Sequence, residues 1–158
     1  ALQPKAEAEV ALVLSRELTD PQTTPEMVAA AVQSVHAAIE IVDSRIADWK
    51  ITFADTVADN GSSAFYVMAK DGKALEGLDL YTCGMVMEID GKLVSLGAGA
   101  ACLAAWLAST LAARDEPLRA GDVLLTGALG PMVTLEPGNH VRAIVGGLGE
   151  VSFTYGDK

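Results

Sequence analysis

The chain opens with an alternation of apolar and other residues that is typical of a β-strand. Over residues 6–15, Val10 and Leu14 fall on one apolar face, whereas Glu7 and Glu9 are two positions apart. Because successive side chains of a strand point to opposite faces, the two glutamates project together from the second face. The pattern therefore predicts a strand that presents a pair of carboxylates.

A second periodicity begins after an Asp-Pro break. Apolar residues recur every three or four positions from Val28 to Val35, behind Pro25, and they predict an amphipathic helix over residues 25–37. The β-branched run that follows predicts a strand over residues 38–42, with Glu40 inside it.

The rest of the chain is dominated by hairpin signals, of which Asp90-Gly91 is the strongest. Residues 43–63 are polar and show little periodicity, which is common in functional loops. The remaining predicted elements are strands over 64–69, 80–89 and 92–96, a helix over 101–113, a strand over 121–126, and a hairpin over 140–145 and 150–155. Two main helices among seven or eight strands predict an α+β fold with a mostly antiparallel sheet.

Composition narrows the class of protein. The 158 residues are 51% hydrophobic and 20% charged, which predicts a folded chain of one domain. The formal net charge is −10, so the chain lacks the basic surface that nucleic acids require, and we expect no nucleic-acid partner.

The sequence favours a cytoplasmic protein. Its two cysteines, Cys83 and Cys102, form no CxxC pair and are expected to be reduced thiols. The start of the chain carries Glu7 and Glu9 where a signal peptide would be apolar. The uncharged run over residues 96–113 is built largely from small residues, so it predicts a buried helix and no membrane segment.

Glu7, Glu9 and Glu40 are the first candidates for chemistry. Alternating glutamates usually form the solvated face of a strand. Here, however, the strand is otherwise apolar, and Glu40 lies between two isoleucines. Buried carboxylates require a partner, a proton or a metal, and an all-oxygen site selects Mg²⁺ or Mn²⁺. The residues alone leave both interpretations open.

Other motifs have simpler explanations. The glycine-rich segment 97–102 resembles part of a dinucleotide fingerprint, but Cys102 stands where glycine or alanine is needed, so we favour tight loop packing. His36 and His140 have no partner at a ligand spacing and are expected at surface or cap positions.

A cluster of turn-forming residues lies within the irregular segment. It contains Asp55, Asp59, Asn60, Ser62 and Ser63. Such residues are typical of loops. Beside a metal site, the same residues would offer a carboxylate base together with hydroxyl and amide donors.

Five ordered motifs resemble the 2-keto-4-pentenoate hydratases of the fumarylacetoacetate hydrolase superfamily. They are PKAEAEVALVL (4–14), AIEIVDSRIADWKI (38–51), DTVADNGSS (55–63), CGMVMEIDGKLVSLGAGAACL (83–103) and AGDVLLTGALGPM (120–132). The resemblance implies a mixed β-sandwich roll, the C-terminal-like fold of that superfamily. It also implies that Glu7, Glu9 and Glu40 bind Mg²⁺ or Mn²⁺.

The resemblance further implies the reaction and the site. The enzyme would hydrate a 2-hydroxy-2,4-dienoate to a 4-hydroxy-2-oxoalkanoate in aromatic or sterol-ring catabolism. Asp59 is the candidate for proton transfer, with Ser62 as a hydrogen-bonding helper. Asn60, Thr126 and Gly127 are expected to border the substrate.

Two alternatives stay open at this point, namely decarboxylation of a 2-oxo-3-enedioate and a non-catalytic assembly partner. The resemblance also implies a homo-oligomer that associates with other enzymes of the same pathway.

The resemblance departs at two places. Relatives carry an N-terminal region before the first motif, which supplies a catalytic lysine and aspartate, and this sequence begins three residues before that motif. Relatives also have a short segment where this sequence has Ala104 alone. We therefore expect residues 1–158 to be a single catalytic domain of a protein that also contains these regions.

Overall fold

The computed structural model describes residues 1–99 and 104–156, in which nine strands form two sheets. The first sheet has the order β3-β2-β1-β6, with β7 also paired to β1, and the second has the order β5-β4-β8-β9. The elements are β1 (Lys5–Leu14), α1 (Pro25–Ala29), β2 (Val32–Val42), α2 (Phe53–Ala58), β3 (Ser63–Met68), β4 (Gly84–Ile89), β5 (Lys92–Ala98), α3 (Ala104–Ala112), β6 (Val123–Leu125), β7 (Val133–Thr134), β8 (His140–Val145) and β9 (Gly149–Thr154).

The paired strands β1 and β2 form the centre of the first sheet. They run antiparallel from the Lys5–Val42 pair to the Leu14–Val32 pair. Strands β2 and β3 lie against β8 and β9, so the two sheets share one core. Buried residues from both sheets fill this core, among them Val10, Leu12, Leu14, Ile39, Met85, Met87, Val141 and Val145.

The α+β architecture with antiparallel sheets is confirmed, and the finer sandwich-roll geometry stays a prediction. Of the two predicted helices, the one over residues 101–113 corresponds to α3 in its described part, and the described residues contain α2 in addition. None of these helices is long and apolar enough to cross a membrane.

The helix predicted over residues 25–37 is wrong beyond Ala29. Helix α1 is capped by Thr24, whose side chain accepts a hydrogen bond from Met27 N, and it ends after five residues. Strand β2 then begins at Val32 and pairs with the whole length of β1. A longer helix would leave half of the buried backbone of β1 without hydrogen-bond partners, so pairing overrides the local helical spacing.

The same correction moves His36 into the interior. Its side chain is buried on β2, with one ring nitrogen 2.8 Å from Ser34 Oγ and the other 2.8 Å from Ala69 O. The prediction of a surface or cap position is therefore wrong for His36. His140 is exposed, as expected.

The Asp90-Gly91 hairpin is confirmed. Both residues have positive φ angles, 52° and 74°, as a type I′ turn requires. The preceding strand begins at Gly84 and not at residue 80, because the Asp79 side chain accepts backbone hydrogen bonds and forms a turn there.

The predicted glycine-loop packing is visible at Gly97, where an added Cβ would lie 1.8 Å from Leu129 O. Residues 100–102 of the glycine motif, including Cys102, lie outside the described residues, as does the start of the helix predicted from residue 101. Cys83 is a buried free thiol.

The irregular segment after β2 is more ordered than its sequence suggests. It contains helix α2, whose Thr52 and Asp55 form a reciprocal capping box, and 3-10 turns at Ala47–Trp49 and Asn60–Ser62. Side chains from this segment lie over the glutamate-bearing face of the first sheet. The fold therefore encloses that face between a sheet and a loop.

Candidate metal site

Strand register brings the three predicted glutamates together. Glu7 pairs directly with Glu40 across β1 and β2, and Glu9 follows on the same face of β1. One carboxylate oxygen from each residue lies within 4.8 Å of the others. We refer to Glu7, Glu9 and Glu40 as the carboxylate triad.

The triad is poorly solvated. Glu9 is 1% exposed, and Glu7 and Glu40 are partly buried. Burial raises the pKa of Glu7, the neighbouring charge of Glu40 raises it further, and Lys5 opposes the shift. These carboxylates are held where a negative charge is unfavourable.

Glu9 is perturbed more strongly. Burial raises its pKa to about 8, and the nearby carboxylates of Glu40 and Glu7 add to the increase. The backbone N–H of Gly127 donates to Glu9 Oε2 at 2.9 Å and lowers the same pKa. This bond fixes one carboxylate oxygen of Glu9, while the carboxyl group also lies within hydrogen-bonding reach of Glu40.

The chain supplies little positive charge to this place. In residues 1–99 and 104–156, no ion pair joins the triad to a lysine, arginine or histidine. The Lys5 ammonium lies instead over the Trp49 ring, 4.4 Å from its centroid. A group of three carboxylates without an ion pair among the described residues is suited to an added cation.

A cavity of about 180 Å³ adjoins the triad. Its lining combines Glu7, Glu40 and Val42 from the sheet with Trp49, Ile51, Thr56, Gly61, Ser62 and Met132. Ser62 Oγ is buried and has no hydrogen-bond partner within the described part of the chain. A buried hydroxyl without a partner is a feature expected where a ligand binds.

The other predicted site residues are distributed unevenly. Thr126 N donates to Val10 O at 3.0 Å, and this pairing places Gly127 beside Glu9. Asn60 is exposed, with a φ of 53°. Asp59 lines a neighbouring depression with its carboxylate paired to Arg45. Ser62 thus shares the cavity with Glu7 and Glu40, whereas Asp59 faces an adjacent one.

Sequence reasoning missed much of the cavity wall. Trp49 and Ile51 belong to the motif 38–51 but were given no role, and Met132 closes the motif 120–132. A tryptophan within a polar segment was the available signal. Nothing in the local sequence marked Met132.

The donor set fits a hard divalent cation. Three carboxylates and an adjacent hydroxyl provide oxygen ligands alone, which suits Mg²⁺ or a similar ion better than zinc. Such an ion would also compensate for the burial, and for the mutual repulsion, that raise the pKa values of Glu7 and Glu9.

Comparison with known proteins agrees with this chemistry. The chain is 50% identical over 161 residues to the 2-keto-4-pentenoate hydratase of Burkholderia vietnamiensis strain G4, covering 98% of this chain and 61% of that protein. It is 40% identical over 160 residues to the 2-hydroxyhexa-2,4-dienoate hydratase of Comamonas testosteroni, covering 98% and 61%. The chain thus spans about three-fifths of the length of these relatives.

A solved structure gives the same fold. The 4-oxalocrotonate decarboxylase of Pseudomonas putida G7, in complex with magnesium and adipate, superposes with a TM-score of 0.88 at 38% identity, covering 96% of this chain and 60% of that one. The family model for the fumarylacetoacetate (FAA) hydrolase C-terminal region matches residues 1–154. The chain therefore belongs to the fumarylacetoacetate hydrolase family.

Proposed function

We propose that this chain forms the metal-binding part of a hydratase, which adds water to a 2-hydroxy-2,4-dienoate to give a 4-hydroxy-2-oxoalkanoate. The observation that carries the proposal is the convergence of the carboxylate triad beside a cavity, with no ion pair to a lysine, arginine or histidine of the described residues. The hydratase names of relatives at 50% and 40% identity support this reaction.

The triad would hold Mg²⁺ or Mn²⁺. When bound, the ion supplies a Lewis acid that stabilises negative charge on a substrate oxygen. Glu7 and Glu40 line the cavity directly, and the hydrogen bond from Gly127 N orients the carboxylate of Glu9. The protein's own contribution is thus a fixed set of oxygen donors on two rigid strands.

The cavity wall would position the substrate. Ser62 Oγ, which lacks another partner, is placed to hydrogen-bond a substrate oxygen. Trp49, Ile51 and Met132 line the same space and would exclude water from the hydrocarbon part. We retain Asn60, Thr126 and Gly127 as further substrate-binding candidates, and we expect the small-molecule substrate to be a 2-hydroxydienoate or 2-oxo acid.

Two proposed roles of Asp59, proton transfer and anchoring of the loop, can be distinguished by mutation. As a proton carrier, its carboxylate would act on the substrate, and as an anchor it would hold the Ser62 turn through Arg45. Asp59 O also accepts a hydrogen bond from Ser62 N at 2.9 Å. Asp59→Asn should lower kcat by about 10²-fold or more in the first role. Equal, modest losses in Asp59→Asn and Arg45→Gln would indicate the anchor alone.

A second candidate is decarboxylation of a 2-oxo-3-enedioate. It is favoured by the 38% identity to a 4-oxalocrotonate decarboxylase that was solved with magnesium. The hydratase relative is more similar, at 50% identity, so hydration is our first choice. Homo-oligomerisation and association with other enzymes of the pathway are further proposals that follow from family resemblance.

The test compares both reactions in the full-length protein. We expect a chelator to abolish hydration and Mg²⁺ or Mn²⁺ to restore it in the wild type but not in Glu40→Gln. Glu150→Gln, an exposed glutamate on the second sheet, is the matched control. Turnover that resists chelation would refute the metal role. Faster decarboxylation would favour the second candidate, and metal binding without either reaction would favour a non-catalytic assembly partner.

A further inference from the structure

We propose that Gln3 is a positioning residue, which fixes the Trp49 wall of the cavity by holding segment 44–49 through its side-chain amide. The inference deepens the proposed function and rests on it in one respect, namely that the cavity receives substrate. The positioning itself can be measured without turnover.

The Gln3 side chain is joined to three backbone groups of that segment. Its Nε2 donates to Ser44 O at 3.0 Å and to Ile46 O at 2.8 Å. Its Oε1 accepts from Asp48 N at 2.8 Å. The single side-chain amide of Gln3 thus forms hydrogen bonds with the backbone of every second residue from 44 to 48. Gln3 lies more than 40 positions before these residues in the sequence.

The backbone of Gln3 continues the same connection. Gln3 O accepts a hydrogen bond from the indole Nε1 of Trp49 at 3.0 Å. Gln3 N donates to Asp43 Oδ1 at 2.6 Å. Gln3 therefore also contacts the residue just before the segment, Asp43, and the last residue of the segment, Trp49.

The attached segment has a conformation that requires such support. Asp48 and Trp49 have φ angles of 58° and 54°, in the left-handed region that disfavours residues other than glycine. Asp48 is exposed, so burial of its side chain does not hold it there. Gln3 bonds to both residues, to the backbone of one and the indole of the other.

Trp49 transmits this constraint to the cavity. Its side chain lines the cavity together with Glu7 and Glu40, and its ring lies under the Lys5 ammonium. Gln3 lies two residues before Lys5, where β1 begins, and four residues before Glu7. It therefore fixes the loop wall relative to the strand that carries the triad.

Removing the Gln3 amide should therefore affect the Trp49 wall of the cavity without affecting the carboxylate triad. Loss of the Gln3 amide leaves the strand register, and hence the triad, in place, because β1 is paired along its length. The Trp49 wall loses its attachment. Substrate positioning should therefore suffer, while metal affinity is maintained.

Gln3→Met tests this in the full-length protein, since methionine keeps the chain length without amide hydrogen bonds. Gln33→Met, at an exposed glutamine on β2, is the matched control. The protein is labelled with 5-fluorotryptophan, and the ¹⁹F resonance of Trp49 is assigned by its loss in Trp49→Phe. Thermal melts verify folding, and Gln3→Glu, which keeps the acceptor but loses both donors, is the second variant.

In Gln3→Met we expect a shifted or broadened Trp49 resonance and a KM increase of about tenfold. The Mn²⁺ affinity should stay within about threefold of the wild type, and Gln33→Met should change nothing. An unchanged Trp49 resonance in both Gln3 variants would overturn the proposal. A shifted resonance without hydratase activity in the wild type would preserve the positioning role and count against the proposed function alone.

Discussion

Each of the two sheets carries a cross-strand cluster of acidic residues, and the two clusters differ in how they are neutralised. On the second sheet, Arg142 lies between Glu88 and Glu150, with its Nη1 3.3 Å from Glu88 Oε2 and a shorter contact to Glu150. The two carboxylates raise the pKa of Arg142. On the first sheet, the carboxylate triad has no such cation among the described residues.

This difference shows which cluster is built for a ligand. Exposed ion pairs neutralise themselves and contribute little to stability. Buried like charges cost free energy unless protons or a metal neutralise them. The triad therefore works against the stability of the metal-free fold, and its presence on two central strands is explained by binding.

The largest expected effect is on metal affinity. Replacing Glu9 with glutamine keeps the size of the side chain but removes the charge that holds a hard cation, so affinity should fall by about 100-fold or more. Glu7→Gln and Glu40→Gln should behave alike, and Glu150→Gln should bind normally. Calorimetric titration with Mn²⁺ measures all four. Unchanged affinity in two of the triad variants would contradict the site.

The second-largest expected effect is on how the stability of the metal-free protein changes with pH. The pKa of Glu9 is raised from 4.5 to about 8 in the folded state, so folding takes up a proton that the unfolded chain has released. The contribution of Glu9 to the free energy of unfolding is therefore complete below about pH 4.5 and is lost as the pH rises through about 8.

Urea denaturation across this pH range measures the effect. The decline should flatten in Glu9→Gln, because that side chain cannot ionise. It should also be offset by saturating Mg²⁺, because the cation replaces the proton. A metal-free wild type whose stability increases steadily up to pH 8 would argue that the triad is neutralised in another way.

The sequence predicted the triad because its geometry is local to two strands. Alternation in β1 placed Glu7 and Glu9 on one face, and the isoleucines around Glu40 marked the second strand. The predicted helix failed because Val28 to Val35 satisfies a helical spacing, whereas the strand from Val32 is decided by pairing with β1. Local periodicity could not include that distant partner.

The cavity wall was less accessible to sequence reasoning. Trp49 lines the cavity beside Glu7 and Glu40, and its loop is hydrogen-bonded to Gln3, which lies more than 40 residues away in the chain. Ser62 was chosen as a turn former, but its burial depends on a left-handed backbone at φ 59° and on the hydrogen bond from Asp43 N to Ser62 O. Such contacts between distant segments leave no periodic signal in the chain.

A smaller effect is expected at Ser62. Its buried hydroxyl has no partner in the described residues, so Ser62→Ala should leave the metal-free protein as stable as before or more stable by up to about 1 kcal/mol. Substrate affinity should nevertheless decrease, since a hydrogen bond to the ligand is lost. Thermal melts and KM values give the two results, with exposed Ser63→Ala as the control. A clear loss of stability would indicate a structural partner for this hydroxyl.

The smallest effect should come from the neutralised cluster of the second sheet. Arg142, Glu88 and Glu150 form contacts at a surface where water already solvates the separated charges, and holding long side chains together costs entropy. Glu150→Gln should therefore shift the Tm by less than about 2 °C, and salt should reduce even that shift. Glu88→Gln, measured with and without Glu150→Gln, completes a double-mutant cycle. A large, salt-resistant destabilisation would mean that this cluster also supports the core, and the contrast between a neutralised and an unneutralised sheet would then no longer explain where the metal binds.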